Sequence, residues 1–364
     1  MNDVSVVGPS PALVRIAQSA LLSWGIARDA SLRLLKYREN AVFAVDIDNK
    51  PTHVLRVHRR GYHTDAALRS ELLWMTALND HGIPTPRVTP TRQGDFLTLV
   101  SATDGAGPFQ CDLLSWVAGV PLGNIENKSF GKEEFIGRAY EQVGRLAAQV
   151  HLHSEQWRPV EPVHRHSWDE EGCFGTGAVW GYYGDLDTLT QAERALLDRA
   201  VIIARQRLAE FGKTGNRFGL IHADLVPENV LIDGEACTLI DFDDAGFGWY
   251  LADIAIAVFF QVGTASFAPA LHAMLRGYRQ VRQLPAGDLH MLDVMLFLRG
   301  LAVLGWIKTR GETETARQIK QSVTEIALSL AANLTGDPIN TTHLNVQFEL
   351  PPSRIGVNDA DKQR

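Results

Sequence analysis

The sequence has 364 residues, which is enough for two domains, or for one lobed domain, with a full hydrophobic core. Its hydrophobic share of 45% and charged share of 21% are typical of a soluble globular protein. The net charge of −7 argues against a nucleic-acid-binding protein, which normally presents a basic face, and is compatible with a cationic substrate.

The cysteines and the N-terminus indicate the compartment. Cys111, Cys173 and Cys237 are odd in number and widely spaced, which favours a reducing environment over a disulfide framework. The N-terminus has no basic region followed by an apolar core, so no secretory signal is expected. The longest apolar run, at residues 254–260, is too short to span a bilayer. We therefore expect a cytoplasmic protein with neither a membrane nor a nucleic-acid partner.

The first third of the chain has the pattern of a small β-rich region. After a loose tail at residues 1–10, apolar residues at helical spacing predict a helix over residues 11–24. Asp48-Asn49-Lys50-Pro51 has the composition of a turn between two strands, and residues 103–108 form a glycine-containing turn. We predict a second helix at residues 65–79 and strands at residues 31–35, 41–48, 53–58, 87–90, 96–100 and 109–117.

The rest of the chain is mostly helical by pattern. Thr190, with Glu193 three residues later, predicts the capping box of a helix that runs to Phe211. Residues 157–184 are irregular and rich in Gly, Trp and His, and the polar residues 351–364 are expected to be disordered. Further helices are predicted at residues 133–153, 250–262, 265–281, 287–309 and 312–334.

A strand–turn–strand pattern interrupts these helices and carries polar residues at its open end. Residues 230–232 and 238–240 are apolar runs joined by Asp233-Gly234, whose residue types tolerate the positive φ of a tight turn. Asn229 precedes the first strand and Asp241 follows the second. Antiparallel pairing of the two strands therefore brings these two residues face to face.

A third polar residue, Asp224, lies five residues before Asn229, on a loop that Pro227 keeps from being helical. Two carboxylates and one amide are hard oxygen ligands that suit Mg²⁺ beside substrate phosphates, with one carboxylate remaining as a base. The alternative is an ordinary hairpin whose polar residues only cap turns.

The order of these residues matches a known catalytic segment. His222-x-Asp224-x-x-x-x-Asn229, followed by Ile240-Asp241-Phe242-Asp243, resembles that of the aminoglycoside phosphotransferase and choline kinase-like superfamily. This superfamily is distantly related to protein kinases, whose catalytic loop reads H-R-D-x-x-x-x-N and is followed by D-F-G. The resemblance, from about residue 33 to about residue 304, implies an α+β, bilobal protein kinase-like fold with a small β-rich N-lobe and a larger, mainly helical C-lobe.

The resemblance also implies how the chain divides. Residues 1–30 would be an N-terminal tail and helix, and residues 31–117 the N-lobe. Residues 118–335 would form the C-lobe, with the catalytic hairpin at residues 220–244. Residues 336–364 would be a partly disordered C-terminal segment.

Roles for individual residues follow from the same resemblance. Asp224 would accept the proton of the acceptor hydroxyl, while Asn229 and Asp241 would hold Mg²⁺. Arg56 stands where a kinase-like lobe normally has its phosphate-pairing lysine, and Glu71 stands where a glutamate orients that cation. The alternative is that Arg56 is a half-exposed strand residue and Glu71 a solvated helix residue.

The nucleotide-binding backbone is less distinct. No G-x-G-x-x-G sequence is present near the first strands, so backbone N–H groups at Glu39 and Asn40 would cover the phosphates of ATP. Adenine would bond to backbone groups from Leu114 to Trp116, although this stretch also fits a simple strand exit. Asp253 resembles a residue that braces the catalytic loop through His222 or nearby backbone groups.

These features predict a kinase that moves the γ-phosphoryl of Mg-ATP to a hydroxyl of a small metabolite. The segment after Ile240 is most similar to type II homoserine kinases and a bacterial stress-response Ser/Thr kinase. An amino acid, amino alcohol or aminoglycoside-like acceptor, cationic in part, is therefore expected. No A-P-E segment follows Asp241, which favours a small molecule over the alternative of a Ser/Thr protein kinase. A nucleotide-binding pseudokinase and a Mg²⁺-dependent hydrolase are further alternatives.

Overall fold

The computed structural model describes residues 10–37, 40–101, 107–125 and 133–337, and the chain forms two compact units. The first unit contains Met1–Pro121, Gln156–His166 and Asn229–Ala245. The second contains Leu122–Glu155, Ser167–Glu228 and Gly246–Arg364. The strands of the hairpin thus group with the β-rich first unit, whereas the sequence-based division assigned them to the helical lobe.

Some of the residues and segments named in the sequence analysis lie wholly or partly outside the described residues. Glu39 and the tail at residues 351–364 lie outside the described residues. The N-terminal tail at residues 1–10 and the turn at residues 103–108 are described only in part.

The first unit is built on a five-stranded antiparallel sheet. In the turn between β2 (Ala41–Ile47) and β3 (Lys50–Val57), Asp48 and Asn49 have φ of 51° and 60°. These residue types tolerate such left-handed values well, and the predicted turn is confirmed. The next two residues, Lys50 and Pro51, already belong to the following strand. The strands are β1 (Ser31–Tyr37), β2 (Ala41–Ile47), β3 (Lys50–Val57), β4 (Thr98–Ser101) and β5 (Pro108–Ser115), in the order β1-β2-β3-β5-β4.

Two helices pack in this unit, α1 (Pro11–Ala20) and α2 (Asp65–Asp80). Leu13 and Ile16 of α1 join the core that contains Phe43 of β2, which accounts for the helical spacing of these apolar residues. On α2, the ring of Trp74 packs edge-on against Phe242, with centroids 5.7 Å apart. The latter contact attaches α2 to the segment that follows the hairpin.

The strand expected at residues 87–90 does not form in this fully described stretch. Val88 makes only an isolated bridge to Leu114 of β5. Pro86 precedes the stretch and Pro90 is its last residue. Proline has no N–H to donate to a strand ladder. The sequence prediction of a strand here was therefore wrong.

The predicted hairpin is present in the first unit. It comprises β8 (Val230–Asp233) and β9 (Ala236–Leu239), with β6 (Val120–Pro121) alongside β8. Val230 pairs with Leu239 and Asp233 with Ala236, so the loop residues are Gly234 and Glu235, one position later than predicted. Gly234 has φ of 59°, and a glycine at the first loop position is typical of type II′ hairpins.

Buried ionic side chains connect the sheet to α2. Arg56 of β3 and Asp112 of β5 are cross-strand partners, and the guanidinium meets both carboxylate oxygens, with Nε–Oδ1 at 2.9 Å and Nη2–Oδ2 at 2.8 Å. Its Nη1 also donates to Glu71 of α2 at 2.8 Å. His58, just beyond β3, lies 2.6 Å from the same Asp112 carboxylate. One arginine therefore joins two strands and a helix.

The charges in this buried group balance when His58 is protonated. Oδ1 of Asp243, after the hairpin, lies 3.6 Å from Nδ1 of His58. Nη1 of Arg165 lies 3.6 Å from Oε2 of Glu71. Burial disfavours a charged imidazole, but Asp112 and Asp243 outweigh it and raise the pKa of His58 to about 9. Burial alone would raise the pKa of Asp243, yet His58 and His63 hold it well below its usual range.

The second unit is mainly helical. Helix α5 (Gln191–Phe211) begins with the Thr190–Glu193 capping box that the sequence predicts. A two-stranded antiparallel ribbon of β7 (Phe218–Ile221) and β10 (Gly246–Trp249) stands before and after residues 222–245. The helices are α3 (Glu133–Gln156), α4 (Glu170–Phe174), α5 (Gln191–Phe211), α6 (Tyr250–Val258), α7 (Phe267–Arg279), α8 (Leu292–Thr309) and α9 (Glu314–Thr335).

Helix α8 is almost entirely buried and packs against α6 and α9. The stretch Ala286–Thr309 is long and apolar enough to cross a membrane by composition, and among the described residues it is the one such candidate. However, 89% of its most apolar window is buried inside the protein. Packing in the core therefore accounts for its composition.

Two of the three cysteines are fully packed inside the protein. Cys111 is buried in the first unit and Cys173 in the second, and burial raises the pKa of both thiols. Cys237 is half-buried on β9. All three lie in the described part of the chain, and none of them forms a disulfide, as the sequence predicts.

The pKa of His58 predicts a pH dependence of stability. Because the folded pKa of about 9 exceeds the ordinary value of 6.5, the contribution is complete below about pH 6.5 and is lost as the pH rises through 9. The shift corresponds to about 3 kcal/mol of unfolding free energy. Urea denaturation at pH 7 and at pH 9.5 measures this loss of unfolding free energy. In the control variant His58→Gln, the loss between the two pH values should be smaller. Equal losses in both proteins would contradict the assignment.

Candidate active site

The loop that carries Asp224 belongs to the second unit and is held by Asp253. The Asp253 carboxylate accepts the backbone N–H groups of His222 at 2.9 Å and Ala223 at 2.8 Å, which confirms the predicted brace. Ala223 has φ of 65°, a left-handed value that is costly for a residue with a Cβ. The two hydrogen bonds to Asp253 compensate this cost, as is common next to functional residues.

Asp253 is itself kept ionised by its surroundings. Burial would raise the pKa of Asp253, but the hydrogen bond with His151 at 3.0 Å, together with the nearby His222, lowers it below its usual value. Burial also lowers the pKa of His151, against the opposing effect of Asp253. A carboxylate that accepts several N–H groups remains a rigid anchor over a wide pH range.

Asp224 contacts an arginine that the sequence analysis did not identify. Its Oδ1 accepts a hydrogen bond from Nη2 of Arg299, on α8, at 2.7 Å, and about a fifth of the Asp224 side chain is exposed. A signal for Arg299 was present in the sequence, since a charged residue inside the apolar stretch 292–307 must find a partner when buried. The identity of that partner depends on the tertiary fold.

Asn229 and Asp241 lie at the open end of the hairpin in the first unit. The N–H of Ile240 donates to the C=O of Asn229 at 3.0 Å, so the strand pairing continues to this end. Asp241 has φ of 65°, and its side chain is 39% exposed. Lys36 of β1, also missed from the sequence, places its Nζ 3.7 Å from Oδ2 of Asp241.

The residues at this end fit a hard divalent cation. Asn229 supplies an amide oxygen and Asp241 a carboxylate, and such ligands suit Mg²⁺. Within residues 10–37, 40–101, 107–125 and 133–337, no group of three or more His, Cys, Asp or Glu side chains could hold a metal ion. Two protein ligands are nevertheless sufficient, because Mg²⁺ is usually bound by one or two protein oxygens together with substrate phosphates.

Arg56 and Glu71 pair as the resemblance implies, but deep in the first unit. The Arg56 side chain is only 5% exposed, and three of its N–H groups are engaged by Asp112 and Glu71. Burial disfavours the charge of Arg56, yet the two carboxylates outweigh it and raise its pKa further. The contact of Arg56 with nucleotide phosphates remains a prediction, and its observed contacts are structural.

The other residues that the sequence analysis assigned to nucleotide binding also make contacts within the first unit. Asn40 accepts the N–H of Arg59 on its Oδ1 at 3.1 Å. Leu114 is buried in β5, and the N–H of Trp116 donates to the C=O of Thr52 at 2.9 Å. A hydrogen bond from adenine to this stretch must therefore use backbone groups other than the Trp116 N–H.

The carboxylates of the irregular stretch are paired with basic side chains. Asp169 and Glu170 lie 3.0 and 2.8 Å from Lys213, and Glu171 lies 2.7 Å from Arg205. Basic residues of the same unit therefore neutralise these carboxylates.

Comparison with known proteins supplies the family. The phosphotransferase enzyme family matches residues 32–288. A solved microcompartment-associated aminopropanol kinase is 33% identical with a TM-score of 0.78, and the alignment covers 89% of this chain and 98% of that chain. A homoserine kinase of Rhizobium etli is 25% identical over 295 residues, which are 75% of this chain and 80% of the relative.

A second solved structure supports the fold. It is an amicoumacin kinase in complex with AMP-PNP and Ca²⁺, 18% identical with a TM-score of 0.68, covering 86% of this chain and 91% of that chain. The kinase-like α+β fold predicted from the sequence is thus confirmed. Because the family match spans most of the chain, the protein belongs to the phosphotransferase enzyme family and is a kinase that acts on hydroxyl groups of small molecules.

Proposed function

We propose that the protein transfers the γ-phosphoryl group of Mg-ATP to the hydroxyl of a small amino alcohol or hydroxylated amino acid. The observation that carries this proposal is the 33% identity over 98% of an aminopropanol kinase. The match to a homoserine kinase supports the same class, since both named substrates combine a hydroxyl with an amino group. The acceptor would then carry a positively charged ammonium group near neutral pH.

The chemistry assigned to the chain is a direct displacement at phosphorus. Asp224 orients the acceptor hydroxyl and takes its proton while the hydroxyl oxygen bonds to the γ-phosphorus and the bond to the β–γ bridging oxygen breaks. The products are the phosphorylated acceptor and ADP. Mg²⁺ at Asn229 and Asp241 would neutralise charge on the phosphates. Positioning supplies most of the acceleration, because phosphoryl transfer needs little covalent help.

A mobile cation for the phosphates is better supplied by Lys36 than by Arg56. Lys36 is 39% exposed and next to Asp241, whereas the Arg56 side chain is 5% exposed and already bonded to two carboxylates. An ammonium group on a flexible stem can follow the phosphates of a bound nucleotide. We therefore assign the phosphate contact to Lys36 and a structural role to Arg56.

The proposed compartment is the cytoplasm. The absence of disulfides among Cys111, Cys173 and Cys237, all within the described residues, is consistent with a reducing environment. The ATP that the reaction requires is abundant there.

The acceptor is identified by incubating the purified protein with Mg-ATP and aminopropanol, homoserine, choline, amino sugars or aminoglycosides. Mass spectrometry then detects products heavier by one phosphoryl group. We expect the highest kcat/KM with the short amino alcohols or hydroxylated amino acids. Turnover confined to the aminoglycosides or amino sugars would contradict the proposed acceptor class.

The role of Asp224 predicts that Asp224→Asn lowers kcat by roughly 100- to 10,000-fold, because the amide cannot accept the proton. The Kd of Mg-ATP should stay within about twofold, as measured by calorimetry, since no nucleotide contact is assigned to this side chain. Turnover near the wild-type rate in this variant would remove Asp224 from the mechanism.

The role of Lys36 predicts that Lys36→Met weakens binding of ATP and ADP by roughly three- to tenfold, the loss of one half-exposed charge contact. Binding of adenosine should not change. Lys50→Met is a matched control, because Lys50 is an exposed lysine at the β2–β3 turn of the same sheet. Equal losses in the two variants, or a loss that extends to adenosine, would contradict a specific phosphate contact.

A further inference from the structure

We propose that Arg299 is a positioning residue that fixes the Asp224 carboxylate for proton transfer, and that Trp180 holds the Arg299 guanidinium in place. All three residues belong to the second unit. The inference rests on the proposed role of Asp224 as the base.

The burial of Arg299 makes its pairing with Asp224 a strong constraint. Only 6% of the Arg299 side chain is exposed, and it emerges from the apolar helix α8. A buried guanidinium is costly unless its N–H groups meet acceptors. Nη2 meets Oδ1 of Asp224 at 2.7 Å, and Nη1 points to the C=O of Ala223 at 3.4 Å. The arginine therefore contacts two consecutive residues of the catalytic loop.

An aromatic face covers the guanidinium. The carbon at the centre of the Arg299 guanidinium lies 4.8 Å from the ring centroid of Trp180, a distance at which a cation is attracted to an aromatic face. Trp180 is itself buried and meets Trp168 edge-on, with centroids 4.9 Å apart. The ring over the guanidinium limits its movement, which in turn restricts the direction of its hydrogen bond to Asp224.

Helix α8 also fixes the backbone that carries Trp180. The Thr309 hydroxyl donates to the C=O of Trp180 at 2.8 Å. A Cβ on Gly305 would lie 1.9 Å from the C=O of Gly181, so the two backbones touch and leave no space for a side chain. Gly181 has φ of 107°, which favours glycine. One rigid helix thus orients both Arg299 and the tryptophan over it.

The catalytic loop is consequently held from two directions. Asp253 accepts the N–H of Ala223. Arg299 donates to the C=O of Ala223 and to the Asp224 carboxylate. Small errors in the position of a reacting group reduce rates strongly, so this double attachment should contribute directly to kcat.

The proposal is tested with Arg299→Met, Arg299→Lys and Arg299→Ala, on the full chain with the acceptor found by the screen. We expect Arg299→Met to lower kcat by roughly 10- to 100-fold with the KM for ATP unchanged. Arg299→Lys should restore part of kcat, because it retains the charge without the parallel N–H donors of the guanidinium. Guanidinium ion should partly rescue Arg299→Ala.

Arg207→Met separates positioning from stability. Arg207 pairs with Asp293 through two contacts of 2.7 and 2.9 Å in the same unit, and neither residue has a role in the proposed mechanism. Its loss should lower Tm yet leave kcat near the wild-type value. An Arg299→Met protein with a lowered Tm but a wild-type kcat would overturn the proposal. If Asp224→Asn retains turnover, Asp224 is not the base and this inference fails, although the proposed phosphoryl transfer stands. The proposed function fails instead if the wild-type protein phosphorylates none of the acceptors.

Discussion

The hydrogen bonds that Asp253 accepts are the constraint on which the catalytic segment depends. Two backbone N–H groups converge on one buried carboxylate, and this attachment permits Ala223 to adopt a left-handed conformation that an alanine otherwise avoids. The direction of the chain at Asp224 follows from that conformation. His151 keeps the carboxylate ionised, so the loop keeps its shape over a wide range of pH. The loop is thus rigid where the proposed chemistry needs precision.

The arginine at position 56 has a different consequence from the lysine it replaces. A planar guanidinium can bond a carboxylate through two parallel N–H groups and still reach a second carboxylate, whereas an ammonium group acts as a point charge. Asp112 and Glu71 use this capacity, and the cation is thereby fixed inside the sheet. An exposed lysine beside Asp241 then remains as the cation suited to a nucleotide that must arrive and leave.

Local patterns in the sequence were sufficient for the hairpin, the capped helix α5 and the brace at Asp253, since each depends on short spacing or on a family motif. The hairpin turn shifted by one residue because Gly234 takes the first loop position. Glu71 was predicted as a partner of Arg56, but the contacts of Arg56 with Asp112 and of Asp224 with Arg299 were not predictable, because the partners are 56 and 75 residues distant in the chain. Charges inside apolar stretches reveal that a partner must exist, but only the tertiary fold selects it.

The burial of two cysteines gives each unit an internal reporter of opening. Cys111 and Cys173 lie inside different units, and their thiols are held in the protonated form, which does not react with alkylating reagents. Labelling at either position therefore requires that the surrounding unit open first. The rates of modification at the two sites would accordingly report how independently the two units open. They would also show whether a bound nucleotide slows the opening of one unit more than that of the other.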